Sequence, residues 1–280
     1  MPGPGGPEPV GTGARGPGPA PFATRLLPWF DRMRRDLPWR RTRDPWAIWV
    51  SEVMLQQTRV EAVREPFERF LRHYPAPASF AAADDDAVLV AWRGLGYYRR
   101  ARLLREGARA VVAQHGGAVP DDPHALGELP GIGAYTRGAI ASIAFGRAER
   151  AIDGNVERVA TRHRGITFVL GTSPAREAIA ATVEHWLDRE RPGDFNQALM
   201  ELGATICTPS SPDCEHCPVA GDCFARANAA VDRLPVRKPK RQPVAIAARV
   251  VLVIDGGRAL GFCVPRGEPN EGQVDLPGPG

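Results

Sequence analysis

Apolar residues recur every three to four positions along most of the chain, which predicts α-helices from about residue 22 to residue 228. In RDPWAIWVSEVMLQQ, Asp44 suits an N-cap, Pro45 suits the first helical position, and apolar residues continue through Leu55. The same spacing predicts further helices over residues 83–93, 99–114, 136–145, 155–165, 174–190 and 194–202. No convincing strand pattern interrupts this part, so the predicted class is all-α.

Two local signals predict where the helix after Leu55 begins and whether it is continuous. TRVE, residues 58–61, has the pattern of a capping box, which predicts that a helix begins directly after the one ending near Leu55. Pro66 lacks a backbone N–H group and is expected to kink or restart that helix.

The two ends of the chain have different patterns. Residues 1–21 are mostly Pro and Gly, which cannot bury a core, and we expect a disordered tail. Residues 231–243, which include LPVRKPKRQP, are predicted to form a basic linker. Beyond it, VAIAARVVLVI, the turn DGG and ALGFCV predict a β-hairpin. Residues 244–280 are too few to fold readily alone, so they either lean on the helical part or begin a domain that the chain does not complete.

Composition and charge narrow the class of protein. No apolar run approaches the roughly 18 to 20 residues of a membrane span, and the N-terminus lacks a signal-peptide pattern. We therefore expect a cytoplasmic protein without a membrane partner. The net charge of +4 permits nucleic-acid binding without requiring it.

LPGIGAYTRGAI, residues 129–140, contains a glycine turn at the start of a predicted helix. Gly131 and Gly133 allow a close backbone approach, and the helix N-terminus offers unpaired N–H groups, so the turn is a candidate anion site for DNA phosphate. The alternative is a simple connection between helices, because such short motifs often match by chance. Tyr135 lies in the first turn of this helix.

Two acidic residues are candidates for chemistry. The helical neighbours of Glu52 are Ile48, Trp49 and Leu55, and a carboxyl desolvated among apolar groups tends to stay protonated and can act as a general acid. The alternative is a glutamate exposed on its helix. Asp153, in IDGNVERV, precedes a predicted helix and would ordinarily cap it. Neither acid by itself identifies a catalytic site.

Four of the five cysteines fall between residues 207 and 223: Cys207, Cys214, Cys217 and Cys223. Such crowding in a cytosolic protein favours metal ligation over disulfides. Four thiolates can hold either Zn²⁺ or a [4Fe–4S] cluster. The single CxxC flanked by lone cysteines favours the cluster slightly, and His216 is expected to be solvated.

Taken together, these motifs resemble the endonuclease III superfamily of DNA glycosylases. LPGIGAYT looks like its helix-hairpin-helix, and IDGNVERV follows at the sequence separation usual in that superfamily. The cysteine spacing matches its iron–sulfur loop. Within that superfamily, LPWR, WVSEVMLQQTRV, GLGYYRRARLL and NQALMELGATICTP are similar to the MutY-type adenine DNA glycosylases. The resemblance spans nearly all of residues 25–225.

This resemblance implies two all-α lobes with an active site between them. One is a six-helix barrel module at about 48–157, and the other is a cluster-bearing module at about 22–47 plus 158–230. The four cysteines would hold a [4Fe–4S] cluster. Residues 244–280, including VDLPG, resemble the opening of a Nudix-like domain that contacts 8-oxoguanine, so discrimination of that base is expected to be weaker.

The implied activity is excision of adenine mispaired with 8-oxoguanine or guanine in double-stranded DNA, by a monomer that flips the base out of the duplex. By resemblance, Glu52 protonates adenine and Asp153 stabilises the oxocarbenium-like sugar. The matching substrate-binding residues are Arg35, Leu37, Trp39, Arg40, Asn155, Gln197 and Met200 for the adenine side, and Gln57, Thr58, Leu95 and Tyr97 for the opposite base and the stack. For Leu37, Leu95 and Met200, ordinary core packing is the alternative.

Two other functions compete. An endonuclease III-like enzyme for oxidised pyrimidines cuts DNA through a lysine Schiff base, which needs an amine, but residues 1–237 contain no lysine. Tyr135 takes the place of that lysine, which predicts base removal without efficient strand cleavage; its hydroxyl is expected near the sugar or the catalytic carboxylates. The other alternative is a non-catalytic iron–sulfur DNA-binding protein. The presence of both Glu52 and Asp153 favours an enzyme instead.

Overall fold

The computed structural model describes residues 21–239, 254–265 and 274–275. The chain divides into a helical unit, residues 1–237, and a second unit, residues 238–280. Apart from Pro21, the predicted N-terminal tail lies outside the described residues, as does most of VAIAARVVLVI. The two units are therefore treated separately.

Helices make up the first unit, which confirms the predicted all-α class. They are α1 Phe22–Met33, α2 Pro45–Leu55, α3 Val60–His73, α4 Pro77–Ala81, α5 Asp85–Ala91, α6 Arg99–His115, α7 Pro123–Glu128, α8 Ala134–Ile143, α9 Gly154–Arg164, α10 Ser173–Trp186, α11 Pro192–Thr205 and α12 Phe224–Ala227, with 3₁₀ turns at Pro38–Arg40 and Ala220–Asp222. The short helices α4 and α7 were not predicted. None of the described helices combines the length and the apolar character that crossing a membrane requires.

Both α2 and the helix that follows it directly, α3, are present as predicted, but the cap of α3 differs from the prediction. Asp44 caps α2 by accepting a hydrogen bond from the Ala47 N–H group at 2.7 Å. The predicted capping box is wrong, because α3 begins after Arg59 without a side-chain cap. The Thr58 hydroxyl accepts from Arg100 instead, at 3.1 Å. A contact distant in sequence has thus replaced the local cap.

Pro66 does not end or restart its helix, since α3 runs unbroken from Val60 to His73. One face of α3 buries Val63, Phe67 and Phe70. Because tertiary packing supplies most of the stability of a helix in a protein, this buried face outweighs the hydrogen bond that proline cannot make.

Two large apolar clusters and a small third one form the core of the helical unit. The first lies around α2 and includes Trp46, Trp49 and Trp92. The second packs α1 against α9, α10 and α11, with the ring of Phe22 stacked on Trp186 at 3.9 Å between centroids. Leu37 and Trp39, which the sequence assigned to the cluster-bearing module, pack in the first cluster. The segment between α1 and α2 therefore passes from one cluster to the other.

Two glycines allow helices at the site to pack closely, because a side chain at either position would clash with a neighbouring segment. A Cβ atom at Gly138 of α8 would lie 2.0 Å from the carbonyl oxygen of Arg150. At Gly203 of α11 it would lie 2.6 Å from the Cβ atom of Asn155. Glycine at these two positions lets α8 approach the segment before α9 and lets α11 approach the first turn of α9.

The predicted linker starts later than expected. Ala230 and Leu234 are buried against Ala225, and the Leu170 N–H group donates to the Val236 carbonyl at 2.9 Å. The residues up to 237 therefore belong to the helical unit.

The second unit contains short strands. Strand β1, Ile254–Asp255, pairs antiparallel with β2, Arg258–Ala259, and β3, Phe262–Cys263, pairs antiparallel with β4, Val274–Asp275. Between β1 and β2, Gly256 and Gly257 have φ angles of 54° and 76°, as a tight hairpin turn requires. The predicted DGG turn is confirmed.

Candidate active site

A cavity of about 760 Å³ lies where α2, α8, α9 and α11 meet, within the size range of small-molecule sites. Glu52 and Asp153 both line it. The other predicted site residues that line the cavity are Arg35, Leu37, Trp39, Arg40, Gln57, Thr58, Gly131, Gly133, Tyr135, Asn155, Gln197 and Met200. The structure thus brings together residues that the sequence separates by more than 160 positions.

Leu95 and Tyr97 do not line this cavity. Leu95 is buried in the first apolar cluster, so the packing alternative holds for it. Tyr97 is 62% exposed on the turn between α5 and α6 and has a φ angle of 46°. Leu37 packs in the first cluster and also faces the cavity.

Glu52 is buried on α2, with only 5% of its surface exposed. Burial raises the pKa of Glu52 to about 7, and the nearby charge of Asp153 adds to this effect. A hydrogen bond from the Tyr135 hydroxyl to Glu52 Oε2 works in the opposite direction. The apolar setting expected from the sequence is therefore present, and Glu52 is partly protonated near neutral pH.

Tyr135 lies in the first turn of α8, where the sequence placed it. Besides donating to Glu52, its hydroxyl oxygen lies 3.3 Å from the sulfur of Met200. Burial raises the pKa of Tyr135 well above its ordinary value, so the phenol remains a donor. The expected position of its hydroxyl beside a candidate catalytic carboxylate is thus observed.

Asp153 is the N-cap of α9. Its Oδ1 accepts from the backbone N–H groups of Asn155 and Val156 at 2.9 and 2.8 Å, and its Oδ2 accepts from the Asn155 side chain at 2.7 Å. The capping role is therefore real, and the same carboxylate faces the cavity. Three donors fix its orientation at a helix N-terminus, where a negative charge is favourable.

Glu201 of α11 is a cavity residue that the sequence analysis missed. It is 1% exposed and accepts from Arg35 Nε at 2.8 Å and from Arg40 Nη2 at 2.8 Å. Burial would raise its pKa, but the hydrogen bonds from these two arginines hold the pKa of Glu201 at about 2. Its position four residues after Gln197 on one helical face was the signal that could have revealed it.

The glycine turn has the geometry that the sequence suggested. Gly131 has a φ angle of 81°, and a Cβ atom there would lie 3.1 Å from Leu103 Cβ. Gly133 is the N-cap of α8 and has no side chain with which to cap it. The first N–H groups of α8 therefore remain available at the cavity rim.

Arg158 connects the cysteine loop to the start of α9. Its Nε donates to the Cys207 carbonyl at 2.6 Å, and its Nη2 donates to Asn155 Oδ1 at 2.8 Å. Since Asn155 in turn holds Asp153, the loop and the candidate catalytic carboxylate share one network of hydrogen bonds.

The four predicted cysteine ligands line one common cavity. His216 points to Asp213 and is exposed, as expected for a solvated residue. In the described part of the chain, no three His, Cys, Asp or Glu side chains converge closely enough to hold a single metal ion. Four cysteines that line one space are the thiolate donors that an iron–sulfur cluster takes.

Comparisons with known proteins agree with this geometry. The family of HhH-GPD superfamily base excision DNA repair proteins matches residues 50–187, and the iron–sulfur binding domain of endonuclease III matches residues 207–223. The adenine DNA glycosylase of Mycobacterium tuberculosis is 42% identical over 217 residues, which cover 76% of this chain and 69% of that protein. This chain belongs to the adenine DNA glycosylase family.

Other relatives of this family extend the comparison. The human adenine DNA glycosylase is 46% identical over 222 residues, which cover 76% of this chain but 41% of the human protein. The chain therefore spans less than half the length of the mammalian relatives that it matches. A thermostable thymine-DNA glycosylase structure is 31% identical with a TM-score of 0.68, covering 74% of this chain and 95% of its own.

The match to the iron–sulfur domain begins at Cys207 and ends at Cys223. All four predicted ligands therefore lie within it, and the cofactor of this chain is the iron–sulfur cluster of this family. Cys207, Cys214, Cys217 and Cys223 of the loop that follows α11 would hold the cluster.

Proposed function

We propose that this chain is a monomeric DNA glycosylase that excises adenine mispaired with 8-oxoguanine or guanine in double-stranded DNA. The observation that carries the proposal is the pair of carboxyl groups at one cavity: Glu52, whose pKa is about 7, and Asp153, fixed by three donors. Family membership supports the choice of adenine as the base.

The two carboxyl groups suit the two charges that develop as the N-glycosidic bond breaks. The departing base becomes negative, and Glu52 neutralises it by donating a proton. Because Tyr135 donates to Oε2, the other oxygen of Glu52 is left to carry that proton. The sugar becomes positive, and the carboxylate of Asp153 stabilises it until water adds and releases a proton, which restores the acid form of Glu52.

The remaining cavity wall suits a planar base with a polar edge. Leu37, Trp39 and Met200 supply apolar surface, and Gln197 lies on the same helix as Glu201. Because Glu201 fixes Arg35 and Arg40 in place, donors are presented to the flipped base without a large cost in side-chain entropy.

The rim of the cavity suits duplex DNA. The N–H groups at Gly133 offer a phosphate site. Gln57, Thr58 and Tyr97 are assigned to the opposite base and the stack, whereas Leu95 is buried in the first apolar cluster. Gln57 and Tyr97 both have positive φ angles, 56° and 46°, and such strained residues concentrate at functional sites.

Base removal without strand cleavage is the second part of the proposal. A Schiff base requires an amine, and Tyr135 occupies the position after the hairpin where the related strand-cutting enzymes carry lysine. Residues 1–237 contain no lysine that could replace it.

The assay that tests the proposal uses the full chain and three duplexes, containing adenine opposite 8-oxoguanine, adenine opposite guanine, and thymine glycol opposite adenine. We expect release of adenine from the first two and intact strands until the abasic product is heated in alkali. Release of thymine glycol with direct strand breakage would show an endonuclease III-like enzyme instead. Tight binding without release of any base would show a non-catalytic protein.

The rate of adenine release is expected to fall as the pH rises above about 7. The pKa of Glu52 is raised by burial, so its acid form dominates below pH 7 and declines by about tenfold per pH unit above it. Single-turnover rates between about pH 5.5 and 9 measure this limb, with DNA affinity over the same range as the control. A rate that rises through pH 8 is the result that would rule out Glu52 as the proton donor.

A further inference from the structure

Arg100, in the first turn of α6, joins a loop at the edge of the cavity to a second loop, the turn between α5 and α6. Its Nη1 lies within hydrogen-bond distance of three carbonyl oxygens at the end of α2: Val53 at 2.8 Å, Met54 at 3.1 Å, and Gln56. Its Nη2 reaches the Thr58 hydroxyl at 3.1 Å and the carbonyls of Leu95 at 3.0 Å and Gly96 at 3.2 Å. One guanidinium thus joins residues 53–58 to residues 95–96.

This arrangement is not an ordinary ion pair. In the described part of the chain, no carboxylate accepts from Arg100. Its acceptors at Val53 and Met54 are carbonyls at the C-terminal end of α2, which have no partner within the helix and where a positive charge is favourable. The planar fork of arginine reaches both loops at once, whereas the single ammonium of lysine cannot.

The two loops each carry a strained residue. Gln57, with a φ angle of 56°, lies between Gln56 and Thr58, both of which bond to Arg100. Tyr97, with a φ angle of 46°, directly follows Gly96, and its ring centroid lies 5.5 Å from the guanidinium. A non-glycine residue keeps such a conformation only when its surroundings hold it. The Arg100 guanidinium bonds to residues on either side of Gln57 and to the two residues before Tyr97.

We propose that Arg100 is a positioning residue that holds Gln57 and Tyr97 in their strained conformations, so that both reach the DNA stack when adenine is flipped out. This inference rests on the proposed function. It assigns no chemical step to Arg100, whose effect would pass entirely through the two residues that it positions.

The test compares Arg100→Lys with Arg105→Lys. Arg105 lies on the same helix, is 9% exposed, and also bonds a loop carbonyl, that of Ala83 at 3.0 Å, but its hydrogen bonds do not reach residues 53–58 or 95–96. We expect Arg100→Lys to lower single-turnover adenine release by roughly ten- to a hundredfold at saturating enzyme, because displaced positioning groups cost this much. Arg105→Lys should stay near the parent rate.

A spectroscopic measurement separates positioning from loss of fold. Each substitution is combined with Glu52→Gln, and the proteins are saturated with a duplex that carries 2-aminopurine beside the target adenine. Unstacking raises the fluorescence, and we expect a smaller rise with Arg100→Lys than with Arg105→Lys at equal melting temperature. If Arg100→Lys does not fold, Arg100→Gln is measured in its place, because a single amide group cannot bond both loops at once, and it should shift both readouts in the same direction.

The inference is overturned if the Arg100→Lys protein releases adenine as fast as the parent, or if its fluorescence rise equals that of the Arg105→Lys protein. A parent chain that releases no adenine at all would instead refute the proposed function.

Discussion

Replacing Glu52 by glutamine is expected to lower the single-turnover rate of adenine release by about two to four orders of magnitude, the usual contribution of a general acid. Glutamine has nearly the same shape and can accept the hydrogen bond that Tyr135 donates. It cannot deliver a proton to the departing base. The affinity for duplex DNA should therefore change little while the chemical step fails.

The matched control is Glu65→Gln on α3, which removes a carboxylate from an exposed helix face. Adenine release is measured by alkaline cleavage of the product strand under enzyme excess, and DNA affinity by fluorescence anisotropy. Release by the Glu52→Gln protein at close to the parent rate would remove Glu52 from the mechanism, whatever its pKa.

The same substitution has a consequence for stability. Because the folded-state pKa of Glu52, about 7, lies above its ordinary value of 4.5, the native state binds the proton more tightly than the unfolded state. The contribution of Glu52 to stability is therefore present below pH 4.5 and is lost as the pH rises through 7. Glutamine carries no charge, so the variant should gain stability relative to the parent above pH 7.

Local sequence patterns predicted part of the site correctly for a physical reason. The burial of Glu52 follows from helical periodicity, since its neighbours on α2 are apolar. The cap at Asp153 and the turn at Gly131 depend on residues within a few positions along the chain. The spacing of the cysteines is likewise local.

The features that the sequence did not reveal depend on contacts between distant segments. The capping box at Thr58 failed because the hydroxyl bonds to Arg100, 42 positions away. Glu201 is paired with arginines more than 160 positions away, and periodicity alone did not show where they lie. Leu95 matches the family motif but packs in the core. The sequence could not decide between DNA contact and core packing, because a leucine suits either.

Replacing Asp153 by asparagine separates the two roles of that residue. Asparagine is as good an N-cap as aspartate, so Oδ1 can still accept from the Asn155 and Val156 N–H groups. The other oxygen, Oδ2, is replaced by an NH₂ group that cannot accept from the Asn155 side chain. One hydrogen bond, worth about 1 kcal/mol, is therefore lost. The fold should therefore survive with a modest loss of stability.

Adenine release by this variant should nevertheless fall by about two to three orders of magnitude, because the charge that stabilises the cationic sugar is gone. Loss of that charge also removes one cause of the raised pKa of Glu52, so the decline of any residual rate should shift to lower pH. Asp84→Asn is the control. Asp84 caps α5 in the same way, because it accepts a hydrogen bond from the Ala87 N–H group at 2.7 Å, and it does not line the cavity. If both variants lose equal stability and both keep full activity, Asp153 is a cap and nothing more.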